Sequence, residues 1–328
     1  MPWIFPYIGE TKDLNEATRS SAPGSFVRLS DGFTHYELGG NSPLPQGAPP
    51  SGPRARRGET AYGDDKRLGE TSDKGLKPPV VLVHGFSVPY FIWDPTFDFL
   101  TASGCRVLRY DLFGRGYSDR PKARYDIDLF CKQLRELLDT LGFESINLIG
   151  LSLGGPISAT FTTRYPERVR RLVLVDPAGV RTVTFAQLLK AATAPGFGEL
   201  VVGLFGRRWL SSGVKSDFYD PAHIKALVER YMVQMEYKGF MRAILSTMRH
   251  GMLGDFSETY CQVGAQGTRT MLFWGRDDKT VPFAHSDDLR KAIPQIEFHA
   301  FEHCGHIPHY EKPDEANPLL LEFLKQVS

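Results

Sequence analysis

The sequence predicts an α/β protein with a mostly parallel central sheet covered by helices on both faces. Two observations lead to this fold class: short apolar runs that end in Gly or Asp, and amphipathic stretches between them. Strands buried on both faces form such runs, and β-α alternation places them in parallel. The chain has 328 residues, 41% hydrophobic and 23% charged. This composition is typical of a globular protein and excludes collagen-like, coiled-coil and disulfide-scaffold proteins.

Charge and cysteine content narrow the functional class. The net charge is +1, without the basic surplus of a typical nucleic-acid-binding protein. Four cysteines occur without a CxxC pair, which favours a reduced, intracellular protein. The chain begins without the basic and apolar regions of a signal peptide, and its longest apolar stretch is interrupted by charges and proline. We therefore expect a cytoplasmic protein without a transmembrane segment.

The first 77 residues predict an extension, a strand pair and a long loop. Residues 1–25 form an N-terminal extension, and apolar runs at 26–29 and 33–38 flank a turn at 30–32. Residues 39–77 are rich in Pro, Gly and charge and poor in large aliphatic residues. Such a segment buries too little apolar surface to offset its ordering entropy, so we predict a mobile loop inserted in the core.

The β-α alternation starts after residue 77 and is interrupted once. It predicts strands at 79–85, 105–111, 145–150, 171–176, 270–275 and 295–301, and helices at 125–142, 154–165, 284–292 and from 313. Residues 177–268 contain mainly helical patterns. The resulting organisation is a core at 26–176 and 269–328, with a helical cap or lid at 177–268. Such an insertion is expected over the carboxyl ends of the strands, where open α/β sheets bind ligands.

The strongest motif is Gly150-Leu151-Ser152-Leu153-Gly154, between a predicted strand and a predicted helix. Glycines two residues either side of Ser152 lack Cβ atoms where strand and helix approach closely, which permits a sharp and strained turn. The turn raises the hydroxyl above the sheet edge, beside the positive end of the helix dipole. This context indicates a nucleophilic serine.

A serine nucleophile needs a base, and the base needs a carboxylate. His306 lies in a loop after the last apolar strand and is the expected base, whereas His35, His84 and His223 have other plausible roles. Asp278, which follows the strand at 270–275, is the preferred acid. Asp277 is the second choice and Asp176, at the end of an earlier strand, the third.

The order Ser152, Asp278, His306 and the accompanying motifs resemble the α/β-hydrolase fold family of the esterase and lipase type. His84-Gly85-Phe86 resembles the family's H-G-x oxyanion motif, and residues 111–118, DLFGRGYS, resemble its D-x-x-G-x-G-x-S loop. Family members with an Asp nucleophile are disfavoured because residue 152 is serine. The resemblance covers residues 26–328, is weakest in the cap and is absent from 39–77.

The resemblance implies an oxyanion hole formed by the backbone N–H groups of Phe86 and Leu153. It also implies a carboxylesterase mechanism through an acyl-enzyme on Ser152, with no cofactor. The apolar cap favours small to medium apolar esters, including monoacylglycerol-like ones, and permits peripheral contact with a lipid surface. His303, Cys304, His306 and His309 lack the pair spacing of metal ligands, so no metal site is expected.

Two alternatives to an esterase remain open. The first is hydrolysis of a carbon–carbon bond in a ring-cleavage product. Residues 119–121 and 168–175 resemble the enzymes that catalyse this reaction. Those enzymes commonly have a loop richer in glycine than Phe86-Ser87-Val88-Pro89. The second is a non-enzymatic ligand receptor that retains the triad. The natural substrate, enantiopreference and oligomeric state are left open.

Overall fold

The structure is a computed structural model that describes residues 7–40, 78–181, 194–220 and 224–326. Most of the predicted loop at 39–77 lies outside these ranges. So do the first six residues of the predicted extension, His223 and residues 182–193 of the predicted cap. Within residues 7–25 the chain forms one short helix.

Eight strands and eleven α-helices form the described part of the chain. The strands are β1 Ser25–Leu29, β2 Gly32–Gly39, β3 Val80–Val83, β4 Val107–Tyr110, β5 Ile146–Leu151, β6 Val169–Val175, β7 Arg269–Gly275 and β8 Glu297–Phe301. The helices are α1 Glu16–Ser21, α2 Asp94–Ala102, α3 Ile127–Thr140, α4 Gly154–Arg164, α5 Phe197–Ser216, α6 Ile224–Gln234, α7 Phe240–Arg249, α8 Ser257–Gln266, α9 His285–Ala292, α10 Pro308–Glu311 and α11 Pro313–Lys325.

The strands form one sheet in the order β1-β2-β4-β3-β5-β6-β7-β8. The β1-β2 and β2-β4 pairs are antiparallel, and all the other pairs are parallel. After β3 the chain builds β4 on one side and β5 on the other, so the strand order reverses between β3 and β5. Open α/β sheets bind ligands at such a reversal. The fold class predicted from the sequence is confirmed.

The buried apolar runs explain which segments become central strands. All the residues of β3, β4 and β5 are buried, as expected where helices cover both faces of a sheet. Two large clusters of apolar side chains, one against each face, form the core. The predicted strand at 105–111 is longer than the observed β4, because Cys105 and Arg106 precede the sheet pairing.

The helix signals at both ends of α3 are confirmed. The Asp126 side chain accepts a hydrogen bond from Leu129 N at 3.0 Å, as an N-cap residue does. At the other end Gly142 has a φ of 69°, the left-handed conformation that glycine adopts most readily after a helix. Helix α3 therefore begins and ends within two residues of the prediction.

The sequence analysis missed a helical segment after β3. Residues Tyr90–Trp93 form a 3₁₀ turn that continues into α2. All four residues of the turn are buried, so the segment lacks the alternation of apolar and polar positions that marks a surface helix. Between β6 and β7 the described chain forms helices α5 to α8, and α5 and α6 contribute side chains to the cavity above the sheet.

Candidate active site

Ser152 occupies a strained turn between β5 and α4. It is one of three non-glycine residues with positive φ in the described chain, with a value of 53°. A Cβ atom at Gly150 would lie 2.3 Å from Gly154 O, and one at Gly154 would lie 2.4 Å from Val83 O. Side chains at either position would therefore clash with the backbone, which confirms the reason given for the two glycines. The hydroxyl-bearing residue stands above the reversal point of the sheet.

His306 and Asp278 form a buried pair beside Ser152. His306 Nδ1 lies 2.7 Å from Asp278 Oδ2. The other oxygen, Asp278 Oδ1, accepts the backbone N–H groups of Thr280 at 2.7 Å and Val281 at 2.8 Å. These bonds fix the carboxylate, and the carboxylate in turn holds the imidazole with Nδ1 protonated.

The remaining nitrogen of the imidazole is directed to no other group. His306 Nε2 is buried without a hydrogen-bond partner among the described residues, and His306 and Ser152 line the same cavity. Burial lowers the pKa of His306, but Asp278 and Asp217 raise it, and the net result lies above the ordinary value. No hydrogen bond joins Ser152 Oγ to Nε2 in this structure; catalytic hydrogen bonds often form only once substrate is bound.

The environment of Asp277 differs from that of Asp278. Asp277 is exposed, and its backbone N–H donates to Cys304 O at 2.9 Å. Its side chain makes no hydrogen bond to His306 among the described residues. The geometry thus favours Asp278 as the acid, which was the first choice from the sequence.

Two backbone N–H groups lie in segments that adjoin Ser152. A Cβ atom at Gly85 would lie 3.2 Å from Ser152 Cβ, so the loop after β3 passes directly over the serine. The N–H groups of Phe86, in this loop, and Leu153, at the start of α4, have no recorded acceptor within the described residues. Unpaired donors beside a nucleophile can stabilise an oxyanion.

Arg115 fixes the loop after β3 that contains Phe86, a role that the sequence analysis did not identify. It is fully buried, and its Nε donates to Phe86 O at 2.9 Å. A second guanidinium nitrogen donates to Thr247 Oγ1 in α7 at 2.8 Å. Arg115 lies within the glycine-rich loop at 111–118, and this motif was the only feature of the sequence that could have pointed to a role for Arg115.

The rest of that motif is structural. Asp111 accepts hydrogen bonds from Tyr90 N at 3.0 Å and Tyr117 N at 2.9 Å, and pairs with His35 Nδ1 at 2.7 Å. His84 is also structural, because its Nε2 accepts the N–H of Leu112 at 2.9 Å. Neither histidine is available as the base.

The cavity above Ser152 has a volume of about 510 Å³. Its walls are mainly apolar and come from the loop after β3 and from α5 and α6, with Val88, Ile92, Leu210, Val214 and Leu227 among them. Two charged residues accompany His306 in the lining, Asp217 and Lys279. Lys279 is exposed and has no recorded ion pair or hydrogen bond with another described residue.

Asp217 is a site residue that sequence reasoning missed. It follows α5, its backbone O accepts the N–H of His306 at 2.6 Å, and its Oδ1 accepts a hydrogen bond from Thr280 Oγ1. Burial raises the pKa of Asp217 to about 6, against the opposing effect of His306. Asp217 lies about 90 residues from the triad loop, in a segment without a motif, so no local pattern could have identified it.

Side chains with metal-ligating chemistry occur around the pair, and hydrogen bonds engage part of their possible ligand atoms. Cys304 and His309 are buried, His309 Nε2 lies 3.1 Å from Ile92 O, and His303 is exposed. Asp176, Asp278 and His306 bring one ligand atom each within 4.8 Å of one another. Asp278 already accepts three N–H groups, which leaves about one lone-pair site free, and the residues fit a hydrogen-bonded cluster better than a metal site.

Comparison with known proteins agrees with this geometry. A family model described as the alpha/beta hydrolase fold matches residues 78–313. A 2-hydroxymuconate semialdehyde hydrolase of Pseudomonas putida is 29% identical over 265 residues, covering 77% of this chain and 89% of the relative. A 2-hydroxy-6-oxo-6-phenylhexa-2,4-dienoate hydrolase of Comamonas testosteroni is 28% identical over 200 residues, covering 60% of this chain and 68% of the relative.

Solved structures support the fold. A meta-cleavage product hydrolase from Pseudomonas fluorescens IP01 superposes with a TM-score of 0.66 at 23% sequence identity, covering 92% of this chain and 97% of that protein. Within the described ranges, the helices are all too short or too polar to cross a membrane. The two curated relatives are described as hydrolases of 2-hydroxymuconate semialdehyde and of a 2-hydroxy-6-oxo-dienoate, not as esterases, and so favour the first alternative from the sequence over its main interpretation.

Proposed function

Since the chain belongs to the α/β-hydrolase fold family, we propose that it is a serine hydrolase that cleaves a carbon–carbon bond in a carboxylate-bearing product of aromatic ring cleavage. The main observation in support is the similarity to the Pseudomonas putida relative across 77% of the chain. Ser152 and His306 line one mainly apolar cavity, and with Asp278 hydrogen-bonded to His306 they supply chemistry that suits the reaction. In this proposal residues 177–268 form the cap over the cavity.

The proposed reaction begins with attack of Ser152 on the ketone carbonyl of the substrate. His306 Nε2 takes the hydroxyl proton, and the negative oxygen of the tetrahedral intermediate accepts hydrogen bonds from Phe86 N and Leu153 N. The intermediate collapses by breaking the bond between the carbonyl carbon and the adjacent chain carbon. Before this cleavage the 2-hydroxyl group of the substrate tautomerises to a ketone, and its proton moves to that chain carbon. The electron pair of the broken bond then passes through the conjugated carbons onto the ketone oxygen, which receives the proton from His306.

Water completes the reaction. The acyl group remains on Ser152, and His306 takes a proton from water as the water oxygen attacks the acyl carbon. The acyl-enzyme breaks down to a carboxylic acid, and the proton returns to Ser152. One water molecule is consumed in total: its OH appears in the new acid and its other hydrogen in the other product.

The charges in the cavity suit such a substrate. A dienoate has an apolar acyl end and an anionic end. Apolar residues from α5 and α6 line the cavity, and Lys279 carries the positive charge among its described lining residues. An unpaired ammonium group can anchor a carboxylate, whereas a neutral apolar ester has no use for it.

The test compares two substrate series on the purified full-length chain. One contains 2-hydroxy-6-oxo-2,4-dienoates with alkyl or phenyl groups at carbon 6, followed by loss of dienoate absorbance. The other contains p-nitrophenyl esters of increasing acyl length. We expect kcat/KM for the best dienoate to exceed that of the best ester, and Ser152→Ala to abolish turnover.

Each other outcome selects a different function. Ester turnover with negligible dienoate cleavage identifies an esterase, the main interpretation from the sequence. Dienoate binding with turnover below about one per hour identifies a receptor that retains the triad. Dienoate turnover that survives Ser152→Ala excludes the proposed nucleophile.

A further inference from the structure

A second buried carboxyl group lies behind the triad and has no role in the proposed reaction. Asp176 follows β6, is fully buried, and has a φ of 41°. Left-handed backbone of this kind is uncommon for non-glycine residues, although Asp and Asn tolerate it best. A residue held there at a cost in strain is a candidate for a functional role.

The two oxygens of Asp176 have different surroundings. Oδ1 accepts the N–H of Gly275 at 2.9 Å, and Oδ2 is buried with no partner among the described residues. One oxygen of Asp176, one oxygen of Asp278 and one ring nitrogen of His306 lie within 4.8 Å of one another. The side-chain contact with Asp278 raises the pKa of Asp176, as a hydrogen bond between two carboxyl groups does when one of them carries a proton.

Hydrogen bonding decides which of the two acids carries that proton. Two neighbouring buried carboxylates cannot both ionise at low cost, and the one with more N–H donors keeps its charge more easily. Asp278 accepts three N–H groups, from Thr280, Val281 and His306, whereas Asp176 accepts one. The charge therefore belongs on Asp278 and the proton on Asp176.

We propose that Asp176 is a neutral carboxylic acid that donates a hydrogen bond from Oδ2 to Asp278, and so positions the acid of the triad. The proposal rests on the proposed function only for the role of Asp278. The proton satisfies the otherwise unpartnered Oδ2 and adds a fourth donor to Asp278. This donor helps to hold the carboxylate in position against His306.

The surrounding charges favour the same protonation state. The titratable groups that interact with Asp176 are Asp278 after β7, Asp217 after α5, and Cys304 and His306 after β8. Two of these groups are acids. Burial, followed by the charge of Asp278, raises the pKa of Asp176 well above its ordinary value. Only His306 becomes cationic, and its proton is directed to Asp278.

The pH profile of Asp176→Asn tests the protonation state. Asparagine has nearly the same shape, tolerates left-handed backbone, can accept the Gly275 N–H and can donate to Asp278 as the protonated acid does. If Asp176 is neutral, the acid limb of kcat/KM stays within about 0.3 pH units of wild type. If Asp176 is ionised, the variant loses a negative charge near His306, and the limb moves to lower pH by about one unit or more. That shift overturns the proposal.

Asp176→Ala tests the positioning role. It removes the donor to Asp278, and we expect kcat to fall about tenfold. The acid limb should move to higher pH, because a carboxylate with one donor fewer is more basic and raises the pKa of the imidazole. Rescue of both effects in Asp176→Asn identifies the hydrogen bond as their cause. An equal fall in kcat in Asp176→Ala and Asp176→Asn contradicts the positioning role. Asp287→Asn, an exposed acid in α9, is the control for the Asp-to-Asn change.

An infrared measurement remains informative if a variant folds poorly or if no substrate is turned over. At pH 8 the wild-type protein should show the C=O band of a buried neutral carboxylic acid, shifted by deuterium exchange. Asp217, with a pKa of about 6, is ionised at that pH. Absence of the band in wild type overturns the proposal. Failure of dienoate cleavage alone overturns the proposed function and leaves this test unaffected.

Discussion

At the scale of single residues, the neighbouring acids Asp277 and Asp278 give the sharpest test of the triad. Asp278 is bonded to His306 Nδ1, and Asp277 is exposed. In Asp278→Asn the amide favours the wrong imidazole tautomer, so we expect kcat to fall by about 10⁴-fold. Asp277→Asn, the matched substitution, should change kcat less than about threefold. Steady-state kinetics on both variants, after thermal melts show that both are folded, decides between them; a larger loss in Asp277→Asn reverses the assignment.

Lys279 is a second residue whose role can be isolated. If its ammonium group anchors the substrate carboxylate, Lys279→Gln should raise KM for a dienoate about three- to fivefold, because an exposed ion pair is worth up to about 1 kcal/mol. The kcat value should change little, since Lys279 does not contact the reacting atoms. The same variant assayed with a neutral p-nitrophenyl ester is the internal control. An equal rise in KM for both substrates indicates a general effect on the cavity rather than recognition of charge.

Residues with a local signature could be identified from the sequence, and residues defined by their partners could not. Ser152 lies in a pentapeptide with a glycine two residues to either side. A Cβ atom at either glycine would lie only 2.3 or 2.4 Å from a backbone oxygen, so the packing requires both glycines and the motif can be recognised in the sequence. Asp217 contacts the His306 loop through its backbone carbonyl, which any residue could provide. Its position near the triad results from the path of the chain after α5, and no spacing in the sequence encodes that path.

At the scale of elements, α5 combines a role in stability with a role in the cavity. Gly213 lies within this helix and lines the cavity, and a Cβ atom there would meet no atom within 4 Å. Gly203 lies in the same helix outside the cavity lining, and its Cβ would be in ordinary contact with Tyr7 at 3.7 Å. Alanine should fit at both positions without strain.

We expect Gly213→Ala and Gly203→Ala each to raise the free energy of unfolding by about 0.5–1 kcal/mol, because alanine is the better helix former. Only Gly213→Ala adds volume to the cavity, so only this variant should raise KM for substrates with a large acyl group. Urea unfolding and a substrate series of increasing size measure the two effects. Matching KM values in both variants would show that α5 does not line the substrate pocket.

Elements were predictable where periodicity and termination signals coincide. Helix α3 has an acidic N-cap and a glycine after its last turn, and its bounds were predicted within two residues. Residues 90–93 are aromatic or aliphatic, and all are buried. Because all four residues are apolar and buried, this segment has no alternation of apolar and polar positions, and a helical period cannot be recognised in its sequence.

At the scale of the whole molecule, the site depends on sheet topology. Ser152, Asp278 and His306 follow β5, β7 and β8, which run parallel through β6. Their carboxyl ends therefore lie at one edge, and residues more than 120 positions apart become neighbours. The parallel order of the strands was predictable from the β-α alternation. The pairing of β2 with β4 was not, because residues 39–77, which follow β2, contain few sequence signals of secondary structure.

The fold also keeps two histidines neutral in its interior, and this should couple stability to pH. Burial lowers the pKa of His84 to about 4 and that of His309 to about 3, while a histidine in the unfolded chain has a pKa of about 6.5. As the pH falls below that value, the unfolded chain takes up protons that the folded chain does not. Each histidine therefore destabilises the folded state at low pH, by up to about 1.4 kcal/mol per pH unit.

Acids with raised pKa values act in the opposite direction. Burial raises the pKa of Asp217 to about 6, so the folded chain binds that proton before the unfolded chain does, and stability from this group increases as the pH falls. The wild-type curve contains both contributions, and the effect of one histidine is best measured as a difference between two proteins.

His309→Gln isolates one of these contributions. Glutamine can still donate to Ile92 O, and any packing loss is independent of pH. We therefore expect the unfolding free energy of His309→Gln, relative to wild type, to increase steadily from pH 7 to pH 4.5 in urea titrations. His303→Asn, at an exposed position, should stay parallel to wild type. A constant difference between His309→Gln and wild type would mean that His309 protonates as easily in the folded protein as in the unfolded chain, and that the interior around it admits charge.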